Sequence, residues 1–471
     1  MTTAEGTVRA SAVPETLAPP VARQLEIEIM QRGWPIGQLL GSETELRERF
    51  GVSRSVLREA IRLLEHQRIA RMRRGPGGGL MVLAPDASTV TRTLVIYLEY
   101  VGTSVEDLLR ARLLLEPLAA RLATETVTEE GIARLRAVAS DEWTPADDPG
   151  GTADGAFHVL LGRFSGNTVL QLFTEVLTSL TIQYARTSRR TSQAAVDAAR
   201  LGSTARHREV VDAMLAGDAA SAQIRLIAHL NEVEGWLLAH GAHQSSERMR
   251  TRPADPSPDV DPTRKRAEVL AGLIYDDIAG EGRRVGDVFG SEPELLARYR
   301  VSRAVLREAV RILEHHSVAQ MRRGHGGGLV ILAPDPAASI HMMGLYLNYQ
   351  GLRPGHLLVV REALELGCIQ AATVAARTPA GSARLRAALG HSDAEVFHAE
   401  LAELAGNPVL TLFQRIATEL WSTQGCIELP PGTAAASDVH TDHEAILEAI
   451  LAGDEGLAQH RMRRHLRAFA I

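Results

Sequence analysis

The chain contains the same segment twice. Val52–Glu65 reads VSRSVLREAIRLLE and Val301–Glu314 reads VSRAVLREAVRILE, identical at eleven of fourteen positions. Farther on, MRRGPGGGLMVLAPD from Met72 matches MRRGHGGGLVILAPD from Met321, and the offset is 249 residues through both matches. A constant offset across such runs means a duplicated folding unit, so the architecture must be one that can be built twice. The likeness then weakens but persists. Arg112 and Glu116 fall on Arg361 and Glu365 at the same offset. Phe157-His158 and Gly166-Asn167 fall on Phe397-His398 and Gly406-Asn407 at 240, and His207 and His229 fall on His443 and His465 at 236. The falling offset says the second copy has lost residues matching roughly Ser140–Gly151. That stretch is rich in Asp, Pro and Gly and reads as a loop.

The composition suits helices. Ala, Leu and Arg are plentiful, aromatics are 4%, and 45% hydrophobic with 23% charged residues is ordinary for globular domains. The two cysteines, Cys368 and Cys426, are too few for a disulfide framework. Met1–Thr16 lacks the basic-then-apolar pattern of a secretory signal, and no apolar run approaches a membrane span. A soluble chain in a reducing cytoplasm, with no membrane partner, is expected. The net charge of −6 does not itself announce a nucleic-acid binder, so charge must be read segment by segment.

Locally it changes sign. From Ser42 to Arg74 there are nine Arg against five Glu, a net of +4. Ser42-Glu-Thr-Glu45 has the spacing of a capping box, and Ser291-Glu-Pro-Glu294 repeats it with Pro293 in the first turn, where a missing N–H costs little. A helix over Val21–Gln31 precedes it; the capped helix ends near Gly51, a place Arg300 takes in the second copy. Ser53 then caps another helix with an apolar stripe of Val56, Leu57, Ala60, Ile61 and Leu64, opposite Arg54, Ser55, Arg58 and Arg62. Two short helices joined by a tight turn, the second starting with polar and basic residues, form the helix-turn-helix that offers its N-terminal residues to the DNA major groove. Arg71–Arg74 and Leu80–Leu83 flank a glycine-rich turn and read as a β-hairpin wing.

These runs, S-E-T-E-L…F-G-V-S-R-S-V-L-R-E-A-I-R-L-L-E…G-P-G-G-G, resemble the GntR family of transcription regulators. The resemblance implies DNA contact by Arg54 and Arg58, with Arg303 and Arg307 in the second copy. Ser55 and the wing residues Arg73, Arg74, Gly77, Arg322, Arg323 and His325 complete the expected DNA-binding set. One departure is that the family often places Arg where Thr44 and Pro293 stand. The segment R-x-x-L-E-P-L-A-A-R-L-A from Arg112, followed by F-H…G-N and two distant histidines, resembles the helical effector domain (FCD) of the FadR-type subfamily. The implied fold is mainly α, with two winged helix-turn-helix domains, each carrying a small β-hairpin wing, and two all-helical effector-binding bundles. The expected divisions are a disordered tail at 1–15, a reader at 16–85, a helical domain at 86–243, a linker at 244–263, a second reader at 264–334 and a second helical domain at 335–471.

Asp154 and His158, four apart, lie on one helix face, and with His207 and His229 they form a donor set for a first-row divalent ion, zinc before nickel or manganese. His207 is expected to open a helix over His207–Ala216. The second copy keeps His398, His443 and His465 but has Ala394 where Asp154 stands, leaving Glu395 as the acid able to share the face of His398. Metal is therefore expected more firmly in the first copy. Family effectors are commonly small carboxylates, and Arg112 and Arg361 match an arginine that lines the effector cavity. An ion pair with Glu116 or Glu365 at i+4 is the alternative reading. The expected activity is that of a repressor on an operator with two half-sites, released by an organic acid. One chain would act as an intramolecular pseudo-dimer, with a further homodimer as the competing assembly and the bacterial nucleoid as its location. Two other classes compete: a sensor with one idle reader, and a metal-dependent hydrolase. The latter is disfavoured because no separate nucleophile or acid–base motif stands out.

Overall fold

The structure, a computed structural model, describes residues 17–75, 77–140, 153–187, 193–240, 262–281, 283–315, 317–322, 324, 327–333, 336–423 and 434–468. It divides into two units, Met1–Asp86 and Ala87–Ile471. The expected tail at 1–15 and linker at 244–263 fall outside the described residues, apart from 262 and 263.

The first unit holds α1 (Ala18–Gln31), α2 (Glu43–Phe50), α3 (Arg54–His66), β1 (Ala70–Arg73) and β2 (Gly79–Val82). The capping box forms: the Ser42 N–H donates to Glu45 Oε2 at 2.7 Å, and the Glu45 N–H to Ser42 Oγ at 3.2 Å. Gly51 ends α2 in the left-handed region at φ 62°, where a residue without Cβ meets no clash. The sharp turn leads straight to Ser53, which caps α3 by accepting from Val56 N–H. Leu57, Ala60, Ile61 and Leu64 of α3 are buried with Leu25 and Ile29 of α1, while Val56 is only half-buried. The hairpin pairs Ala70 with Val82 through Arg73 with Gly79. Its strands start one residue earlier than the sequence pattern suggests. A third stretch runs alongside, with Leu39 bridging to Met81. There a Cβ on Gly79 would stand 2.5 Å from the Gly41 carbonyl oxygen, so the glycine is required by close backbone approach.

The second unit begins with α4 (Ala87–Tyr100), α5 (Val105–Thr126), α6 (Glu129–Val138), α7 (Ala153–Phe164), α8 (Thr168–Thr187), α9 (Gln193–Leu215) and α10 (Ala219–Ala239). The second reader follows as α11 (Pro262–Gly280), β3 (Val288–Gly290), α12 (Glu292–Tyr299), α13 (Arg303–His315), β4 (Ala319–Arg322) and β5 (Gly328–Ile331). Its sheet order is β3-β5-β4, all antiparallel. The second helical copy closes the chain with α14 (Pro336–Tyr349), α15 (Pro354–Ala375), α16 (Pro379–Leu389), α17 (Glu395–Leu404), α18 (Pro408–Thr423), α19 (Ala434–Ala452) and α20 (Glu455–Ala468). Among the described residues no helix is long and apolar enough to cross a membrane.

Within this unit the two helical copies share one core. Phe173 of α8 stacks on Phe413 of α18, ring centroids 3.8 Å apart and planes 7° from parallel. These two residues are equivalent in the repeat. Asn167 Nδ2 donates to the His356 carbonyl at 2.9 Å, and the equivalent Asn407 Nδ2 donates to the Asp107 carbonyl at 2.9 Å. Each asparagine also caps its own helix, its Oδ1 accepting from two backbone N–H groups. Each copy keeps a second core of its own, centred on Phe157 and Leu230 in the first and on Phe397 and Ile450 in the second. The second reader also meets the first copy, with Tyr275 Oη 3.2 Å from Glu99 Oε2.

Candidate metal centre and DNA-reading surface

In the first copy α7, α9 and α10 bring His158, His207 and His229 together, all at most 4% exposed. His207 Nε2 lies 3.2 Å from His229 Nε2, which lies 3.3 Å from His158 Nε2. The expected helix start at His207 is corrected: α9 begins at Gln193, so the histidine sits inside a long helix. Phe157 stacks on the His207 ring at 3.9 Å and fixes its plane. Glu116, on α5 and 1% exposed, sets its Oε2 2.7 Å from His158 Nδ1, close in distance though not aligned as a hydrogen bond. This directs His158 Nε2 toward the other two rings. Arg112 grips the same carboxylate with Nε and one terminal nitrogen, and its other terminal nitrogen donates to Thr181 Oγ1 at 3.2 Å. Burial pushes the Glu116 carboxyl up, but Arg112 and His158 outweigh it and hold the group down at about 2.

The second copy repeats this with differences. His443 Nε2 lies 3.1 Å from both His398 Nε2 and His465 Nε2. His398 Nδ1 is 2.8 Å from Glu365 Oε1. His465 Nδ1 has a carboxylate as well, Asp442 Oδ2 at 3.3 Å. Arg361 reaches Glu365 at 3.3 Å and Glu395 Oε2 at 2.7 Å, with its guanidinium 5.3 Å from the Trp421 ring centre. The expectation for Glu395 is thereby corrected. Its Oε2 lies 2.7 Å from a terminal nitrogen of the buried Arg361, and it is not among the grouped donors His398, His443 and His465. Asp154 belongs to α7, but its side chain lies outside the described residues.

Both triads suit a metal. Burial pushes His207, His229 and His443 well below the ordinary imidazole value, and burial together with His398 takes His465 down to about 4. Neutral rings are the ligating form. Three bonds of about 2.0–2.1 Å at tetrahedral angles put nitrogens roughly 3.3 Å apart, close to the separations seen. A buried carboxylate behind a ligand ring is the usual outer-shell arrangement. Held there, a divalent ion would leave a coordination position for an acid oxygen.

On the readers, Arg54 and Arg58 are exposed and share one acceptor, Glu43 Oε1, at 2.8 and 3.0 Å. The Arg54 hydrogen bond leads in holding Glu43 below the ordinary carboxylate value. Ser55 Oγ is 2.9 Å from Ser53 Oγ. Arg73, Arg74 and Gly77 are exposed on the wing, where Arg73 donates to the Gly77 carbonyl at 2.8 Å. Arg303, Arg307 and Arg322 are exposed too, with Arg307 only loosely paired to Glu292 at 3.9 Å. Arg323 and His325 lie outside the described residues.

Comparison with known families finds both domain types in this chain. The model described as "Bacterial regulatory proteins, gntR family" matches residues 17–79, and the FCD domain model matches 107–232 and 356–468, together well over half the chain. The chain belongs to the GntR family of bacterial regulators. The regulator is 30% identical over 203 residues to the HTH-type transcriptional regulator LutR of Bacillus subtilis, covering 43% of this chain and 92% of the relative. It is 27% identical over 247 residues to the putative L-lactate dehydrogenase operon regulatory protein of Escherichia coli, covering 51% and 93%. Among solved structures it resembles a Streptococcus agalactiae GntR protein at 25% identity and TM-score 0.34, over 46% of this chain and 99% of that one. The regulator is thus a DNA-binding transcription regulator with two FCD domains.

Sequence reasoning saw Glu116 and Glu365 as partners of the arginines and missed their approach to the histidines. The recurrence of Arg-x-x-x-Glu in both copies was the available signal. Asp442 gave none: its counterpart is Arg206, which pairs with Glu209 and Glu232.

Proposed function

We propose that the regulator is a repressor whose two readers address two half-sites of one operator and release them when a small carboxylate enters an FCD domain. One chain acts as a self-contained pseudo-dimer and has no enzymatic role. The observation that carries this reading is the reciprocal pair of contacts from Asn167 and Asn407, each copy capping its own helix while reaching the other copy's backbone. Equivalent residues making equivalent contacts both ways is how a two-fold interface is built. Arg54, Ser55, Arg58, Arg73, Arg74 and Gly77, with Arg303, Arg307, Arg322, Arg323 and His325, are the proposed DNA contacts. The two His triads are the proposed metal sites, with zinc the first candidate. A carboxylate effector suits a metal with an open position beside a buried arginine. One relative is named for an L-lactate dehydrogenase operon, and lactate is an acid of this class. Solution mass on operator DNA tests the assembly: one chain per two half-sites is expected, and a stable pair of chains with four readers overturns it.

A second reading, one idle reader, is favoured by Arg300, which holds the left-handed position between α12 and α13 at φ 52° where the first reader has Gly51. Replacing Arg303 and Arg307 with Ala separates the two. Operator affinity should fall about tenfold or more if the second reader works, each lost base contact being worth about 1–3 kcal/mol. Unchanged affinity would mean it is idle.

A further inference from the structure

The repeat aligns without gaps from Gly155 to Gln183 and from Glu395 to Thr423 at offset 240, which permits a residue-by-residue comparison around the buried arginines. Three positions beside them change, each from small to large. Gly155 becomes Glu395, Thr174 becomes Gln414 and Thr181 becomes Trp421. In the first copy the Thr174 hydroxyl turns back to its own helix, donating to the Leu170 carbonyl at 2.8 Å. There Arg112 gives Nε and one terminal nitrogen to Glu116 and its other terminal nitrogen to Thr181 Oγ1 at 3.2 Å, and position 155 supplies no side chain. In the second copy all three residues converge on the Arg–Glu pair. Glu395 Oε2 takes an Arg361 nitrogen at 2.7 Å, Trp421 lies along the guanidinium, and Gln414 donates to Glu365.

We propose that the second FCD domain is self-liganded: the Glu395 carboxylate occupies the guanidinium face of Arg361 that a small carboxylate would otherwise take, and Trp421 and Gln414 fill the space around it. The inference rests on the reading that these arginines receive an acid. It follows that one FCD domain per chain answers the effector. The second serves as a permanently occupied partner, held in the state that ligand binding produces in the first. A tethered group is present at high effective concentration, so a free acid competes poorly with it. Glu395 is also only partly covered, 29% exposed, which leaves its place within reach of a small solute once the side chain is cut back.

The test uses the full chain and acetate as the probe, comparing thermal midpoints in sodium acetate and in sodium chloride at equal ionic strength. Glu395→Ala should lose stability in chloride and recover in acetate, with an acetate-specific rise about 2–4 °C larger than in wild type. Glu395→Gln, which keeps the space filled, should show no extra rise. A variant that melts cooperatively only in acetate would support the proposal equally. The proposal is overturned if Glu395→Ala gains nothing from acetate, in midpoint or in cooperativity, or if Glu395→Gln gains as much. The wild-type chain reports separately on the underlying reading. If acetate and L-lactate leave wild type unmoved while Glu395→Ala responds, the self-liganded second domain stands and the acid reading of the first domain falls. If wild type responds and Glu395→Ala adds nothing, the reverse holds.

Discussion

Glu116 compensates the Arg112 charge and lies 2.7 Å from His158 Nδ1, in a place almost without solvent. Removing one partner from such a cluster leaves an uncompensated buried charge, so Glu116→Ala should destabilise the chain by about 3–5 kcal/mol in urea unfolding. Glu116→Gln keeps the volume and a hydrogen-bonding oxygen and should cost less, yet still weaken metal retention in the first triad by about 10–100-fold, measured by competition with a chelator. At this scale the sequence was half legible. Helical spacing and recurrence in both copies singled out all six histidines. The carboxylates behind them were not visible as such, because Glu116 lies 42 positions from His158 and only the packing of α5 against α7 brings them together. Glu395 can share the helix face of His398 by its spacing, and its carboxylate pairs with Arg361. Periodicity tells which residues share a face and says nothing about a competing cation on another helix.

Between α2 and α3 the chain must turn through a left-handed residue, and the two readers meet that demand differently. Gly51 does so freely, while Arg300 carries a Cβ into the same region. The strain is about 1–2 kcal/mol, partly offset by the greater freedom glycine has in the unfolded chain. Arg300→Gly should therefore stabilise the second reader by about 0.5–1 kcal/mol, seen as slower amide exchange in α12 and α13. The wing gives an opposite case. Gly79→Ala places a methyl against the Gly41 backbone, which has no flexible end to give way. A loss of about 1–3 kcal/mol in the first reader is expected, together with weaker operator binding by fluorescence anisotropy. A fall in affinity without a fall in stability would show that the glycine serves DNA approach instead. Caps, apolar stripe and hairpin were legible here. The pairing of β3 was not, since three residues are too few to show an alternation, and neither was the full extent of α9, whose start lies well before its histidine.

For the whole molecule, the duplication was the most legible feature, but sequence alone could not say that the copies share a core. Phe173 and Phe413, stacked on each other, belong to no motif that sets them apart from other apolar residues. Asn167 offers a way to probe that joint. Asn167→Asp retains the acceptor that caps α8 but replaces the donor to the His356 carbonyl with an oxygen. A loss of about 1–3 kcal/mol is expected in urea unfolding, as for a buried acceptor left without its donor, and a similar loss from Asn407→Asp. If both variants unfold like wild type, these contacts do not hold the copies together.

The joint between the copies has a consequence for abundance. Helical domains that meet as separate chains come apart on dilution, so a scarce regulator of that kind is partly disassembled. In the self-contained pseudo-dimer proposed above, the meeting surfaces belong to one polypeptide, and their association is a unimolecular step with no dependence on concentration. On that proposal the paired helical domains would be as complete in a cell holding a handful of molecules as in one holding thousands.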